Sequence, residues 1–478
     1  MRKPPPRDDA TLPFPTSPVS NMEWVPEGAT PKQRLTAKLI REETETRARR
    51  LGMTRGQFLR TAAATATAFM VMNKLDGIDQ TGDAAAMPIK KVHCDDPDAA
   101  RELLDKKMFV LDVQQHHVDT SLYPDDAFCF LEFIPSPTLE CPESIGQTNF
   151  IREIYINSET DVGVISGLPY GLPMGPDAMA NTRDYINELA GSERALSQAI
   201  IDPKAPPGTP TSFDTLEYQV KTLKGRALKT YTYSYNGWRL DDEVIAYPML
   251  EKAQDLGLKL VNCHKGLPAI FAPGSPESVR TTDFPKVVRD FPGLKFCAYH
   301  SGYFQGTEHP TGKTGSSEFL ELLAAMPVKE RRRCYAEIGS TFAIVLTQGP
   351  TALAHFIGQL LKTLGSRNIL WGTDSIWWGS PQYLIDAFKT LQIPADMQAQ
   401  FGYPPLTDKA KRRILGENAA RLYGVKRGAE RCSIPEDRLD QVQAAQGGPR
   451  EGRDLRWYGP QTRRDFFAML RRNGGTIG

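Results

Sequence analysis

The feature that most constrains the fold is an alternation of short apolar runs with segments long enough to form helices. Eight such runs lie between residues 108 and 374, each bounded by turn residues. They are MFVLDV (108–113), VGVISGLP (162–169), ALSQAIIDP (195–203), RALKTYTY (226–233), LKLVNCH (258–264), LKFCAYH (294–300), CYAEIGS (334–340) and NILWGTD (368–374). Strands that alternate with helices form parallel sheets, and eight parallel strands close a barrel. The pattern predicts an α/β fold, a (β/α)₈ TIM barrel.

This barrel would occupy residues 107–425, because the last helical pattern, KAKRRILGENAARLYGV, ends at residue 425. Residues 1–106 would form an N-terminal extension. Its first 30 residues are rich in proline and predict an extended arm rather than a packed element, and a charged helix follows at 34–51. Residues 426–478 are polar and predict a C-terminal tail that docks on the surface or on a neighbouring subunit.

Composition excludes several partners. The 58 basic residues are balanced by 57 acidic ones, so the net charge of +1 gives no global attraction to nucleic acid or anionic membranes. A small molecule is the expected substrate. The seven cysteines form no CxxC motif, which favours reduced core thiols over a zinc ribbon or a disulfide framework. The two extensions that flank a complete barrel are consistent with a homodimer.

The segment TRGQFLR, residues 54–60, and the apolar stretch TAAATATAFMVMN, residues 61–73, together resemble a degenerate twin-arginine export signal. Gly56 stands where that signal has its second arginine. No apolar run reaches the roughly 20 residues needed to cross a bilayer. A retained, buried or amphipathic helix in a cytoplasmic protein is therefore favoured, with export to the periplasm as the alternative.

Four of the predicted strands end on residues that can bind a metal or move a proton: His116, His264, His300 and Asp374. In a TIM barrel the carboxyl ends of the strands converge on one solvent-accessible point. Side chains alternate along a strand, so Asp112, Gln114 and His116 are expected on one face. Imidazole and carboxylate groups suit one divalent metal ion, with Zn²⁺ favoured and Mn²⁺ as the alternative.

The motifs around these residues resemble the amidohydrolase-related family of metal-dependent enzymes, which includes aminocarboxymuconate-semialdehyde decarboxylase, hydratases and lactone hydrolases. The matches are LDVQQH (111–116) to the family's Asp-x-His-x-His strand, CHKG (263–266) and YHSG (299–302) to its His-Gly strand ends, GTD (372–374) to its Gly-Ser/Thr-Asp strand end and ILGENAARL (414–422) to its final helix. The resemblance implies that His116, His264 and Asp374 bind the metal. It also implies that His300 is a catalytic histidine that positions water or substrate.

The sequence departs from the family pattern at Gln114, where the family has its first histidine. Glutamine offers only an uncharged oxygen, so Gln114 is either a weak ligand or a lost one. Two lysines, Lys229 and Lys265, are candidate partners for a substrate carboxylate. Tyr299 and Trp377 are candidates for the wall of a pocket that holds a flat substrate.

Three functions remain open on these residues, with hydrolysis as the leading hypothesis and the other two as alternatives. The first is hydrolysis, in which Asp374 takes a proton from water that attacks a carbonyl group polarised by the metal and His300, so that both Asp374 and His300 are catalytic. The second is non-oxidative decarboxylation of a carboxylated aromatic or unsaturated acid by the same residues. The third is an inert barrel that serves as a binding or assembly module. One barrel hosts many reactions, so the fold does not choose between them.

Overall fold

The structure, a computed structural model, describes residues 12–77, 85–119, 143–171, 174–272, 274–426, 436–453 and 455–472. Eight parallel strands follow one another in the order of the sequence. They are β1 (Leu111–Gln115), β2 (Val162–Ile165), β3 (Ala195–Ser197 and Ala199–Ile200), β4 (Leu228–Tyr231), β5 (Leu260–Gly266), β6 (Lys295–Tyr303), β7 (Cys334–Glu337) and β8 (Ile369–Leu370). Strand β3 is interrupted at Gln198: its first half pairs with β2 and its second half with β4.

The last strand returns to the first and closes the barrel. The amide of Val113 donates to Trp371 O at 3.0 Å, and the amide of Asp374 donates to Gln114 O at 2.9 Å. Each of the eight predicted apolar runs overlaps one of the eight strands. The prediction of a (β/α)₈ barrel is confirmed.

Helices connect the strands and form the two extensions. They are α1 (Pro31–Arg50), α2 (Arg55–Leu59), α3 (Ala62–Leu75), α4 (Lys91–Asp95), α5 (Pro97–Leu104), α6 (Gln147–Ile151), α7 (Pro176–Ala190), α8 (Leu216–Lys221), α9 (Tyr247–Asp255), α10 (Ser275–Ser278), α11 (Phe284–Asp290), α12 (Ser317–Ala325), α13 (Val328–Arg331), α14 (Thr341–Leu346), α15 (Pro350–Leu364), α16 (Gln382–Thr390), α17 (Ala395–Phe401), α18 (Asp408–Arg412), α19 (Asn418–Tyr423), α20 (Arg438–Ala445) and α21 (Arg463–Arg472). Two π-helical segments, Arg152–Ile156 and Arg413–Glu417, continue α6 and α18.

Alternate residues of the strands fill the inside of the barrel. The buried cluster there includes Leu111, Val113, Val162, Val164, Leu196, Ala227, Leu260, Cys297, Tyr299, Tyr335 and Leu370. Tyr423 from α19 also belongs to this cluster, and its hydroxyl accepts hydrogen bonds from Gln198 (3.1 Å) and Asn262 (2.9 Å). Because side chains alternate along a strand, the residues two positions after these buried ones in β4, β5, β7 and β8 also point into the barrel, at its carboxyl end.

The apolar part of the export-like segment is helix α3, which is buried from Ala62 to Asn73. It packs against α1 and α5, so it is part of the folded core in this structure. Among the described residues, no helix is long and apolar enough to cross a membrane. The compartment of the protein and the predicted domain boundaries at residues 106 and 425 stay predictions.

The prediction that the N-terminal arm does not pack is wrong for residues 12–24. Leu12, Phe14, Val19 and Trp24 are all buried, and the ring of Phe14 stacks on Tyr383 with 5.2 Å between centroids. The prolines keep this segment extended, but its apolar side chains have enough area to dock on the barrel. Residues 4–6, the PPP of the arm, lie outside the described residues.

The C-terminal tail lies over the same end of the barrel as the arm. The amide of Tyr458 donates to Trp377 O at 2.7 Å, which attaches the tail to the segment after β8. The amide of Ser20 donates to Pro460 O at 2.8 Å, which attaches the arm to the tail. Trp457 and Tyr458 are buried in this contact.

We expect at least four of the seven thiols to stay unreactive in the native protein. Cys94, Cys263, Cys297 and Cys334 are free and buried, and burial raises the pKa of the Cys94 thiol to about 11 and of the Cys263 thiol to about 12. The thiolate is the reactive form, so a disulfide reagent at pH 8 should label these four only after unfolding. Rapid labelling of more than three thiols in the folded chain would contradict this expectation.

Candidate metal centre

Three of the predicted histidines meet at the carboxyl end of the barrel. Each directs one ring nitrogen at a main-chain carbonyl: His116 Nδ1 at Ser166 O (2.6 Å), His264 Nε2 at Leu267 O (3.1 Å) and His300 Nδ1 at Gly339 O (2.9 Å). A carbonyl oxygen only accepts, so these nitrogens carry the protons. The other ring nitrogens of His264 and His300, Nδ1 and Nε2, are left with lone pairs, whereas His116 Nε2 faces the carboxylate of Asp374.

Asp374, at the end of the strand β8 run, faces two of these histidines. Its Oδ1 lies 3.1 Å from His116 Nε2, and its Oδ2 lies 4.0 Å from His300 Nδ1. Burial raises the pKa of the Asp374 carboxyl, but the hydrogen bond with His116, the electrostatic interaction with His300 and the hydroxyl of Ser340 together hold it well below its usual range. Asp374 is therefore an ionised carboxylate.

A second carboxylate enters from the N-terminal arm, which sequence reasoning did not include in the site. Glu23 Oε2 lies 3.2 Å from His264 Nδ1, and Glu23 Oε1 accepts a hydrogen bond from Tyr233 at 2.9 Å. Burial, and then the charge of Asp374, raise the pKa of Glu23 to about 8. No local pattern in SNMEWV distinguishes Glu23 from an exposed acidic residue.

The residues present fit a divalent metal ion. Within the described part of the chain, neither His264 Nδ1 nor His300 Nε2 has a hydrogen-bond partner, although both are buried and the two ring centroids are only 4.6 Å apart. Glu23, His264 and His300 each offer one ligand atom, and these atoms lie within 4.8 Å of one another. Two imidazole lone pairs thus face one carboxylate. Nitrogen and oxygen donors in this arrangement are the ligand set of a metal such as Zn²⁺ or Mn²⁺.

Lys229 is the one predicted lysine that the structure brings to this centre. Its ammonium group is buried inside the barrel without a hydrogen-bond partner among the described residues, and it lies over the rings of Tyr299 (3.9 Å) and Tyr231 (4.5 Å). Burial lowers the pKa of Lys229 to about 8 against the opposing charges of Glu23 and Asp374. Tyr299 lies beneath this ammonium within the core of the barrel.

Lys265 does not reach the centre. Lys265 follows the inward-pointing His264, so its side chain points outward, where it forms a buried ion pair with Asp283 at 2.6 Å. The remaining hydrogen bonds of Lys265 go to two main-chain carbonyls. Trp377 is buried, and its main-chain oxygen accepts the tail amide of Tyr458. The side chain of Lys265 is therefore not placed to contact a substrate at the histidines, and a contact of Trp377 with substrate stays a prediction.

Asp112 does not share a face with Gln114 and His116, contrary to expectation. The pairing of β1 with β2 shifts in register between Asp112 and Gln115, which breaks the alternation of side chains. Asp112 instead accepts the Thr373 amide at 3.0 Å and so ties β1 to the end of β8. The amide nitrogen of Gln114 points inward and donates to Asp374 Oδ1 at 2.9 Å.

Backbone strain is concentrated around the centre. Met22, His300, Ser301, Ser340 and Asp374 are non-glycine residues with φ between 52° and 74°. Such a conformation costs on the order of 1–3 kcal/mol per residue and persists only where the surrounding structure enforces it. At His300 this conformation directs the side chain into the barrel. Regular alternation after the inward-pointing Tyr299 would place it outside.

Glu337 and Gly372 support the centre from β7 and β8. Glu337 Oε2 accepts the amide of His300 at 3.0 Å, which holds the strained segment of β6 in place. A Cβ atom at residue 372 would lie 1.9 Å from Glu337 Oε1, so the glycine of the GTD motif is required for this contact. Burial raises the pKa of Glu337 to about 8.

A closed parallel barrel with histidines and carboxylates at its carboxyl end defines a TIM-barrel enzyme class. Residues 176–425, more than half of the chain, match the family model described as Amidohydrolase. The chain belongs to the amidohydrolase family. The resemblance seen in the strand-end motifs and the prediction of an enzyme are thereby confirmed.

Solved structures show only distant likeness. 5-Carboxyvanillate decarboxylase from Sphingomonas paucimobilis is 14% identical, with a TM-score of 0.42, over 67% of this chain and 100% of that one. 4-Oxalomesaconate hydratase from Rhodopseudomonas palustris is 17% identical, with a TM-score of 0.41, over 71% and 99%. A probable 2-pyrone-4,6-dicarboxylic acid hydrolase from Acinetobacter baumannii is 14% identical, with a TM-score of 0.40, over 66% and 100%. Comparison with curated proteins gives no match.

Proposed function

We propose that this protein is a metal-dependent enzyme that decarboxylates a small organic acid without oxidation. The observation that supports the proposal most is the ammonium group of Lys229, which is buried beside the candidate metal ligands and has no hydrogen-bond partner among the described residues. A buried charge is costly unless it is paired, so this group is a ready partner for a substrate carboxylate.

His116, His264, His300 and Asp374 are the strand residues from which the ion would take its ligands. When bound, the ion supplies positive charge that stabilises negative charge developing on substrate oxygens. Lys229 orients the carboxylate from the wall of the barrel. His300, first expected only to position water or substrate, offers its Nε2 lone pair in the same cluster as His264.

The burial of the site favours decarboxylation. His116, His264, His300 and Asp374 are each at most 2% exposed, so the reacting carboxylate would lie in a region of low polarity. Loss of carbon dioxide converts a charged group into a neutral one, and exclusion of water favours that change. The electrons of the broken C–C bond form a C–H bond with a proton, which Asp374 or His300 would first take from solvent and then deliver to carbon.

Hydrolysis is the second candidate, and the ionised state of Asp374 favours it. A carboxylate held ionised by Ser340 and His116 can take a proton from a water molecule that attacks a substrate carbonyl. Asp374 would then return this proton to the leaving group. His300 would orient the carbonyl. The leading hypothesis from sequence, hydrolysis, thus uses the same residues as decarboxylation but requires water to enter the centre.

A combined metal and substrate test separates these candidates. We expect about one equivalent of Zn²⁺ or Mn²⁺ per chain, loss of activity on chelation and recovery on adding back either ion. We also expect carbon dioxide release from a panel of carboxylated phenols and muconate-like acids. Ester or lactone hydrolysis without carbon dioxide release would select the second candidate. A chain that binds neither ion would contradict the proposed function altogether.

A further inference from the structure

We propose that Glu23, carried by the N-terminal arm, is a metal ligand of this centre and supplies the anionic group that Gln114 does not. The inference rests on the proposed function in requiring a metal ion. It goes beyond that function because it takes a ligand from outside the barrel. The rest of the N-terminal extension and the first half of the barrel sequence separate Glu23 from His264, yet Glu23 lies 3.2 Å from His264 Nδ1.

The arm is built to deliver this carboxylate. Asn21 Oδ1 accepts the amides of Glu23 (3.2 Å) and Trp24 (3.0 Å), which closes a tight turn with Met22 at φ 74°. The carbonyl of Glu23 accepts the amide of Ile270 at 3.1 Å, so the backbone is fixed to the segment after β5. A strained, fully bonded turn places the side chain in one position.

Both ends of this turn are anchored. On one side, Ser20 donates its amide to Pro460 O at 2.8 Å, and a Cβ atom at residue 459 would lie only 2.0 Å from Ser20 O. On the other side, the indole nitrogen of Trp24 donates to Glu308. The arm is therefore held between the tail and the loop after β6. These buried and half-buried contacts keep Glu23 at the centre.

Gln114 is engaged elsewhere. Its amide nitrogen lies 2.9 Å from Asp374 Oδ1 and 3.3 Å from His116 Nε2, so the group that faces the centre is a donor. Reversing the amide would place its oxygen against the Asp374 carboxylate, which only accepts when ionised. Strand β1 thus offers no anionic ligand at this position, whereas Glu23 presents a carboxylate to two free imidazole nitrogens.

Metal affinity measured on the full chain tests the proposal. Chelator-competition titrations with Zn²⁺ alone would compare the native sequence with Glu23→Gln, which keeps the shape of the side chain, and Glu23→Asp, which keeps its charge. Glu27→Gln is the matched control, because Glu27 is an exposed acid on the same arm. We expect Glu23→Gln to bind Zn²⁺ at least about 10-fold more weakly than the native chain. The affinity of Glu23→Asp should lie between those of Glu23→Gln and the native chain, and the affinity of Glu27→Gln should equal the native value.

Co²⁺ substitution gives a readout that does not depend on turnover. The visible absorption of bound Co²⁺ should change in position and intensity in Glu23→Gln, because a ligand is lost, and should be unchanged in Glu27→Gln. Native affinity and an unaltered Co²⁺ spectrum in Glu23→Gln would overturn the assignment while leaving a metal enzyme in place. Higher turnover in Glu23→Gln with native affinity would also overturn it, since Glu23 would then be an internal substitute for a substrate carboxylate. If the native chain binds neither Zn²⁺ nor Co²⁺, the proposed function fails as well.

Discussion

Replacing Asp374 with asparagine should lower kcat/KM by on the order of 10²–10⁴-fold, the usual contribution of a positioned proton-transfer group. Three groups contact the carboxylate of Asp374. They are the imidazole of His116 after β1, the hydroxyl of Ser340 after β7 and the side-chain amide of Asn21 in the arm. Asparagine keeps the shape but removes the charge and the proton affinity. Steady-state rates on the substrate identified by the panel measure the effect.

Two controls make this result interpretable. Asp98→Asn changes a carboxylate that is 90% exposed on α5 and should leave the rate unchanged. Metal content must be measured on Asp374→Asn, because a variant that keeps its ion but loses turnover identifies a proton-transfer role, whereas one that loses its ion identifies a ligand role. Full activity in a correctly folded Asp374→Asn would exclude both roles.

The barrel and part of the centre follow from local sequence. Strand β5 shows why: Leu260, Asn262 and His264 share the inner face by simple alternation, so a histidine at the strand end is directed at the barrel axis. The same rule places Lys265 on the outer face. Applied to β5, alternation alone would have separated the ligand candidate from the lysine that we first grouped with it.

Two of the strands break that rule, and sequence periodicity cannot show where. The register shift in β1 separates Asp112 from Gln114, and the left-handed residues His300 and Ser301 re-orient the end of β6. Both irregularities are stabilised by partners far along the chain: Thr373 for Asp112, and Glu337 for the amide of His300. A local pattern carries no information about such partners.

The arm is the part of the centre that no local pattern predicts. Its proline content is typical of unpacked segments, yet Asn21 donates to Asp374 across 353 residues of sequence. The stability of this contact comes from apolar side chains such as Phe14 and Trp24, which are at most 2% exposed in the folded chain. Only the assembled fold offers that surface.

Replacing Lys265 with methionine should lower the free energy of unfolding by about 3–5 kcal/mol, because it leaves the charge of Asp283 buried and unpaired. The two side chains are each 1% exposed and 2.6 Å apart, so solvent does not compensate for the loss. Urea denaturation followed by fluorescence measures the change. An effect below about 1 kcal/mol would mean that the ion pair behaves like an exposed one.

The double variant Lys265→Met/Asp283→Asn separates a structural role from a substrate-binding role. Asparagine can still accept the amide of Leu240, which donates to Asp283 at 3.0 Å, and it carries no charge that needs a partner. We therefore expect the double variant to recover at least half of the stability lost in the single one, with kcat/KM within about twofold of the native value for both. A large loss of kcat/KM that persists in the re-stabilised double variant would instead return Lys265 to the substrate site, and would require the outward direction of its side chain to change on binding.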